Sequence, residues 1–200
     1  MTKNFNVFLL LFSICTAGYA QNQFKNPTRF KLKNDFTVII AQNVGAGKIY
    51  ARITLENEVL PKEKLAADVI GEYLASKAGQ FNLRQSTESK VTSQVSMTYN
   101  EANIATSLLV FEQALSFVAE NLLDPELPRL AFSTIQNLSE ENRARLKILK
   151  ISDLQSFHVK HFKPSAVFIT IAGDISPSEA KLISSRVFVN RNSKLDSIAE

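Results

Sequence analysis

Cysteine is almost missing from this 200-residue chain: the single one, Cys15, sits at the end of an apolar run near the start. Lys3 precedes that run, which extends from Phe5 to Cys15, and small residues close the segment in Gly18-Tyr19-Ala20. This pattern predicts a secretory signal peptide over residues 1–20, cut between Ala20 and Gln21. The run is shorter than the roughly 20 apolar residues that span a bilayer. Acylation of Cys15 is the alternative fate, and bulky Ile14 directly before it argues against that. A chain cut after Ala20 carries no thiol, which excludes disulfide frameworks, cysteine nucleophiles and thiolate metal sites. Stability then has to come from an apolar core, for which about 180 residues are ample in one domain.

Other absences narrow the chemistry. No later segment is long and apolar enough for a membrane helix, so no transmembrane segment is expected after cleavage. Losing Lys3 leaves 22 basic residues against 19 acidic ones, spread along the chain without an aromatic-interleaved basic patch. Nucleic acid is therefore not an expected partner. A nucleophile elbow of the Gly-x-Ser-x-Gly type does not occur, which rejects serine hydrolysis on that pattern. Gly45-Ala46-Gly47-Lys48 lacks the spacing of a phosphate loop and runs into a strand pattern, so it reads as a hairpin turn. Internal repeats and low-complexity blocks are absent.

What is present reads as alternating strands and helices. After a polar lead-in over 21–28, the turn pair Asn34-Asp35 precedes Phe36, Val38 and Ile40, which predict a first strand. Beyond Gly45 and Gly47, alternation of Ile49, Ala51, Ile53 and Leu55 predicts a second, antiparallel to the first. Pro61 opens a helix with Leu65, Val69, Ile70, Tyr73 and Leu74 on one face, for which Gly79 is the expected stop. Val91, Val95 and Met97 suggest a third strand. Asn100 then reads as the cap of a long helix carrying Ile104, Leu108, Phe111, Leu115, Val118 and Leu122.

A polar helix is expected over 128–149 and a short one from Ser152 to Phe162, ended by Pro164. A fully apolar strand follows from Ala166 to Ala172. Ser176, Pro177 and Glu179 then supply the cap, first-turn proline and capping-box acid of a last helix. From Asn190 the composition is polar and a frayed tail is expected over 190–200. The fold class expected is α+β, helices packed on a mainly antiparallel sheet, with one folded unit over 29–189.

Three stretches in this order resemble the repeated unit of the pitrilysin (insulinase) metallopeptidases. "FKLKNDFTVIIAQN" is similar to the family's opening strand, Leu-x-Asn-Gly-Leu-x-Val, with Asp35 in place of glycine. "KISDLQSFHVKHFKPSAVFITIAGDISPSEAKLISSRVF" is similar to its helix, strand and helix, and is the most specific of the three. "ARITLENEVLPKEKLAADVIGEYLASKAGQFNLRQSTESKVTSQVSM" follows the layout of the family's non-catalytic half. The resemblance implies one unit of the metallopeptidase-like fold. Active members carry His-x-x-Glu-His on the helix after the second strand, where two histidines hold zinc and the glutamate activates water. The equivalent helix, Lys62 to Lys77, has no histidine, so no catalytic residue, metal site or cofactor is expected.

The resemblance also implies a role for Arg84, which matches an arginine that holds peptide substrate beside a partner's active site. The tyrosine that accompanies it in the family falls on Val91, which leaves that pair incomplete; a solvated loop arginine is the plain alternative. His158 and His161 lie three residues apart on one helical face, but two ligands do not make a zinc site, and packing is expected of them. Glu56, Glu58, Glu63, Asp68 and Glu72 read as a solvated acidic face.

Active relatives enclose peptide between halves of two units each. A single unit leaves surfaces that its neighbours would cover, and such surfaces mark partners. The expectation is a pseudo-peptidase, exported to the periplasm or secreted, serving protein interaction or assembly. Its partner is a second copy, a zinc-bearing relative or an envelope complex. The alternatives are an accessory subunit that contributes Arg84 to a zinc-bearing peptidase, with peptide as ligand, and a standalone periplasmic binding domain.

Overall fold

The computed structural model describes residues 26–88, 93–123, 140–146 and 149–196. Period-two burial runs through every long strand pattern, and the chain answers it with a six-stranded sheet in the order β1-β2-β6-β3-β5-β4. The strands are β1 (Thr28–Lys31), β2 (Thr37–Gln42), β3 (Ile49–Leu55), β4 (Gln94–Met97), β5 (Glu101–Thr106) and β6 (Val167–Gly173). Only β2 and β6 pair in parallel; the other neighbours are antiparallel. Ile49, Ala51, Ile53 and Leu55 of β3 are buried while Tyr50 and Arg52 are exposed, and the same alternation holds in β5 and β6. Side chains on alternate positions point to opposite sheet faces, so one face carries the core and the other stays open.

Among the described residues five helices accompany the sheet, and buried side chains of four of them form the core against it. The five are α1 (Lys64–Glu88), entered through a 3-10 turn at Pro61–Glu63, α2 (Leu108–Leu123), α3 (Glu140–Leu146), α4 (Ile151–His161) and α5 (Pro177–Asp196). Val69, Ile70, Tyr73 and Leu74 of α1 and Phe111, Leu115, Val118 and Leu122 of α2 are buried, as their spacing predicts. Phe36 and Phe188 are fully buried with ring centroids 5.5 Å apart, which joins the start of β2 to α5. Burying an aromatic side chain of this size contributes about 1.5–3 kcal/mol.

Several expectations are corrected. The opening segment forms a hairpin, β1 and β2, around Asn34-Asp35; Asp35 adopts φ 66°, the left-handed conformation that glycine takes without cost. β2 and β3 are not hairpin partners, because β6 enters between them. The Gly45-to-Lys48 segment therefore arches over the end of β6 and is not a tight hairpin turn. There Asn43 N–H donates to the Gly173 carbonyl at 2.8 Å and Asp174 N–H to the Lys48 carbonyl at 3.0 Å. Gly173 has φ 131°, and a Cβ there would lie 2.2 Å from the Lys48 oxygen.

The stretch after Asn100 is strand β5, not the first turns of the long helix. Ala102, Ile104 and Thr106 alternate in burial with Glu101, Asn103 and Ala105. α1 runs on past Gly79 to Glu88, since Phe81 and Gln85 continue beyond the glycine the buried stripe that Ala78 carries up to it. α5 extends through Asp196, past the Asn190 at which fraying is expected. The signal segment lies outside the described residues, as do most of the 128–149 helix and Val91. No helix of the described residues is long and apolar enough to cross a membrane.

Candidate functional site

The open sheet face has a simple composition that follows from register. Tyr50 stands opposite Ala172 of β6 on one side and Ala105 of β5 on the other. Two small neighbours leave its ring 52% exposed, a knob between two shallow wells. One row along, Arg52 lies between Thr170 and Asn103, with Ser96 beyond on β4. These residues and Gln94 line a concavity of about 520 Å³. Arg52 donates to Glu101, whose other carboxylate oxygen accepts from the Asn103 amide at 2.6 Å. The Asn103 hydrogen bond and then the Arg52 guanidinium hold the Glu101 carboxyl below its usual range. The result is a fixed charged pair on an otherwise neutral, partly apolar surface.

One border of that face is closed by a side chain. Asn82, near the end of α1, donates from Nδ2 to the Val95 carbonyl and accepts from the Val95 N–H at Oδ1, both at 2.8 Å. Both edge-facing groups of Val95 on the outer strand β4 are thus satisfied without another strand.

His158 and His161 are placed apart from this face, and each ring has its own partner. His158 Nε2 donates to the Leu123 carbonyl at 3.1 Å and its ring stacks on Phe162. His161 is buried against Phe157, and its Nε2 lies 3.1 Å from Glu63 Oε2. Lys160 pairs with the other oxygen of the same carboxylate. The Asn57 amide donates to the His161 carbonyl. Among the described residues no three His, Cys, Asp or Glu side chains gather as a metal site would require.

Glu63 departs from the solvated role expected of its acidic neighbours. Its side chain is only 16% exposed, and it ties the entrance of α1 to the end of α4. The Lys160 hydrogen bond chiefly, together with those from the Leu60 backbone and His161, outweighs partial burial and lowers its pKa from 4.5 to about 2. Sequence spacing carries no signal for this pairing, because its partners lie 97 and 98 positions away.

Arg84 is exposed on α1, in a helix and not in a loop. It lines a polar cleft of about 280 Å³ with Gln85, Gln113, Ser116 and Glu120, floored by the stacked rings of Phe81 and Phe117, 4.3 Å apart. Every lining residue comes from α1 or α2, so the cleft belongs to the helical layer and is separate from the open sheet face. The helix that would carry a zinc motif, α1 with its 3-10 entry, contains no histidine.

No family model and no curated protein matches this sequence. Solved structures do match it in fold. A protease from Helicobacter pylori superposes with TM-score 0.61 at 16% identity over 82% of this chain and 50% of that one. A peptidase M16 inactive domain from Pseudomonas fluorescens gives 0.59 at 16% identity over the same shares. The periplasmic protease PqqL from Escherichia coli gives 0.60 at 10% identity, over 82% of this chain and 24% of that one. The chain has the α+β fold of peptidase M16 domains, the pitrilysin-like fold, and spans half or less of the length of these structures.

Proposed function

We propose that this chain is a non-catalytic pitrilysin-like unit, exported, whose function is to bind and assemble with another protein through its open sheet face. The observation that carries the reading is the bare face itself: helices cover one side of the sheet, while Tyr50, Arg52 and Thr170 stand exposed on the other. A half-exposed tyrosine between two alanines is the kind of amphipathic anchor that protein interfaces favour. Absence of His-x-x-Glu-His from the sequence supports the non-catalytic part, and so does the likeness to a domain described as inactive. The test is capture of partners from the native envelope by the chain and by its Tyr50→Asp variant, with zinc and peptide-hydrolysis assays on what is recovered.

A second reading makes the chain an accessory subunit that supplies Arg84 to a zinc-bearing peptidase. It is favoured by the position of Arg84 in an exposed cleft with polar neighbours. In a recovered assembly, Arg84→Ala would lower hydrolysis with the complex intact. Unchanged hydrolysis would leave the assembly role alone.

A further inference from the structure

The two borders of the sheet are not equivalent. On β4, Asn82 occupies the outward N–H and carbonyl of Val95. β1, the outer strand at the other end, has no such cover from any described residue. Its register with β2 pairs Leu32 with Phe36, where Leu32 N–H donates to the Phe36 carbonyl at 2.9 Å. Bonded and non-bonded pairs alternate along an antiparallel ladder. Phe30 and Thr28 therefore also face β2 with their backbone groups, and Arg29 and Lys31 turn theirs outward.

Beside this edge, β1 and α5 enclose a groove of about 430 Å³. Its apolar part is Leu32, Leu182 and Val189, and Leu182 is 56% exposed. Its charged part is Lys31, Lys33, Lys181 and Arg186, and no acidic side chain is among the described lining residues. Three of these cations have partners: Lys31 Nζ lies 4.0 Å from Asp35 Oδ1, Lys181 sits over the Phe30 ring at 5.3 Å, and Arg186 forks onto Glu112 at 3.0 and 2.7 Å. Arg186 is largely neutralised by that pair. Lys33 and Lys181 keep the groove positive.

We infer that the β1 edge and this groove form a second docking site, which takes an extended acidic segment of a partner protein as an added strand. The outward groups of Arg29 and Lys31 supply backbone hydrogen bonds. Side chains of the added strand on the α5 side enter the groove, where apolar ones meet Leu182 and Val189 and carboxylates on that same side meet Lys33 and Lys181. The charge complementarity and the open backbone edge select an acidic peptide over a neutral one. The site shares no residue with the Tyr50 face, so it stands or falls independently of the assembly reading.

The probe is a short fluorescein-labelled peptide of repeating Val-Thr-Glu-Thr, which places valine and glutamate in turn on one face of a strand, titrated with residues 21–200 of the chain by fluorescence anisotropy. Saturable binding is expected, weakening as salt rises, with no binding of the matching valine–lysine peptide. Lys33→Glu combined with Lys181→Glu should weaken it at least tenfold. Lys31→Pro removes an outward N–H on an edge strand without breaking the β1–β2 ladder. It should bind about tenfold more weakly than Lys31→Ala, the loss expected for a hydrogen bond whose partner is left unmet. Circular dichroism and melting of each variant check that the fold is retained. Equal affinity of Lys31→Pro and Lys31→Ala would overturn strand addition in favour of a plain cationic patch. Absence of peptide binding, or capture by phosphatidylglycerol vesicles in its place, would overturn the proposal outright.

Discussion

At the scale of single residues, two polar side chains tie separate elements together: Asn82 joins α1 to β4 and Glu63 joins the entrance of α1 to α4. Asn82 meets both edge groups of Val95, so Asn82→Ala leaves them to water at a partly buried border. A loss of about 1–3 kcal/mol is expected, read as a lower urea midpoint at unchanged slope, with faster exchange of the Val95 amide. A midpoint equal to the parent's would show that water replaces the amide at no cost. Glu63 makes a prediction about pH. Its carboxyl titrates near 2 in the folded chain against an ordinary 4.5, so the unfolded chain binds the proton first as pH falls. The stability it contributes is complete above about 4.5 and is lost between there and about 2, where protonation ends its pairing with Lys160 and His161. Glu63→Gln should flatten that part of the acid-unfolding curve. An acid limb identical to the parent's would contradict the assignment.

Elements are where the sequence is most and least informative. Buried stripes of α1, α2 and α5 follow from helical spacing, and the starts of α1 and α5 follow from Pro61 and from Ser176 with Pro177. Ser176 Oγ accepts from the Glu179 N–H at 3.2 Å, as an N-cap should. Gly79 misleads because its glycine signal is local, whereas the buried positions continuing to Phe81 and Gln85 decide the helix. It is exposed, and a methyl group added to its Cα would meet nothing within 4 Å, so Gly79→Ala should stabilise the chain by about 0.5–1 kcal/mol. A lower melting temperature in that variant would show that the glycine has a packing role after all. β5 reads as helix in the sequence because Ile104 and Leu108 are four apart; the competing two-residue alternation of Ala102, Ile104 and Thr106 is what burial obeys. Entry of β6 between β2 and β3 has no local signature, since that pairing joins residues more than a hundred positions apart.

For the whole molecule, the sheet has one covered and one bare face, and the proposed assembly role rests on that asymmetry. The fold class can be read from the sequence because layer architecture follows from the order and polarity of the elements. The open face cannot, because its knob and wells are made by Tyr50, Ala105 and Ala172 on three strands that meet only through register. Arg84 is singled out by resemblance alone, and its place in the helical layer separates it from that face. A fold shared with peptidases does not by itself confer peptidase chemistry. The most direct measurement is partner capture from native cell extracts with residues 21–200 and their Tyr50→Asp variant in parallel. The account predicts a partner that co-purifies with the parent chain and is lost from the variant, with any zinc and peptide hydrolysis belonging to that partner. Peptide hydrolysis by the purified chain alone, or equal recovery by the variant, would contradict it.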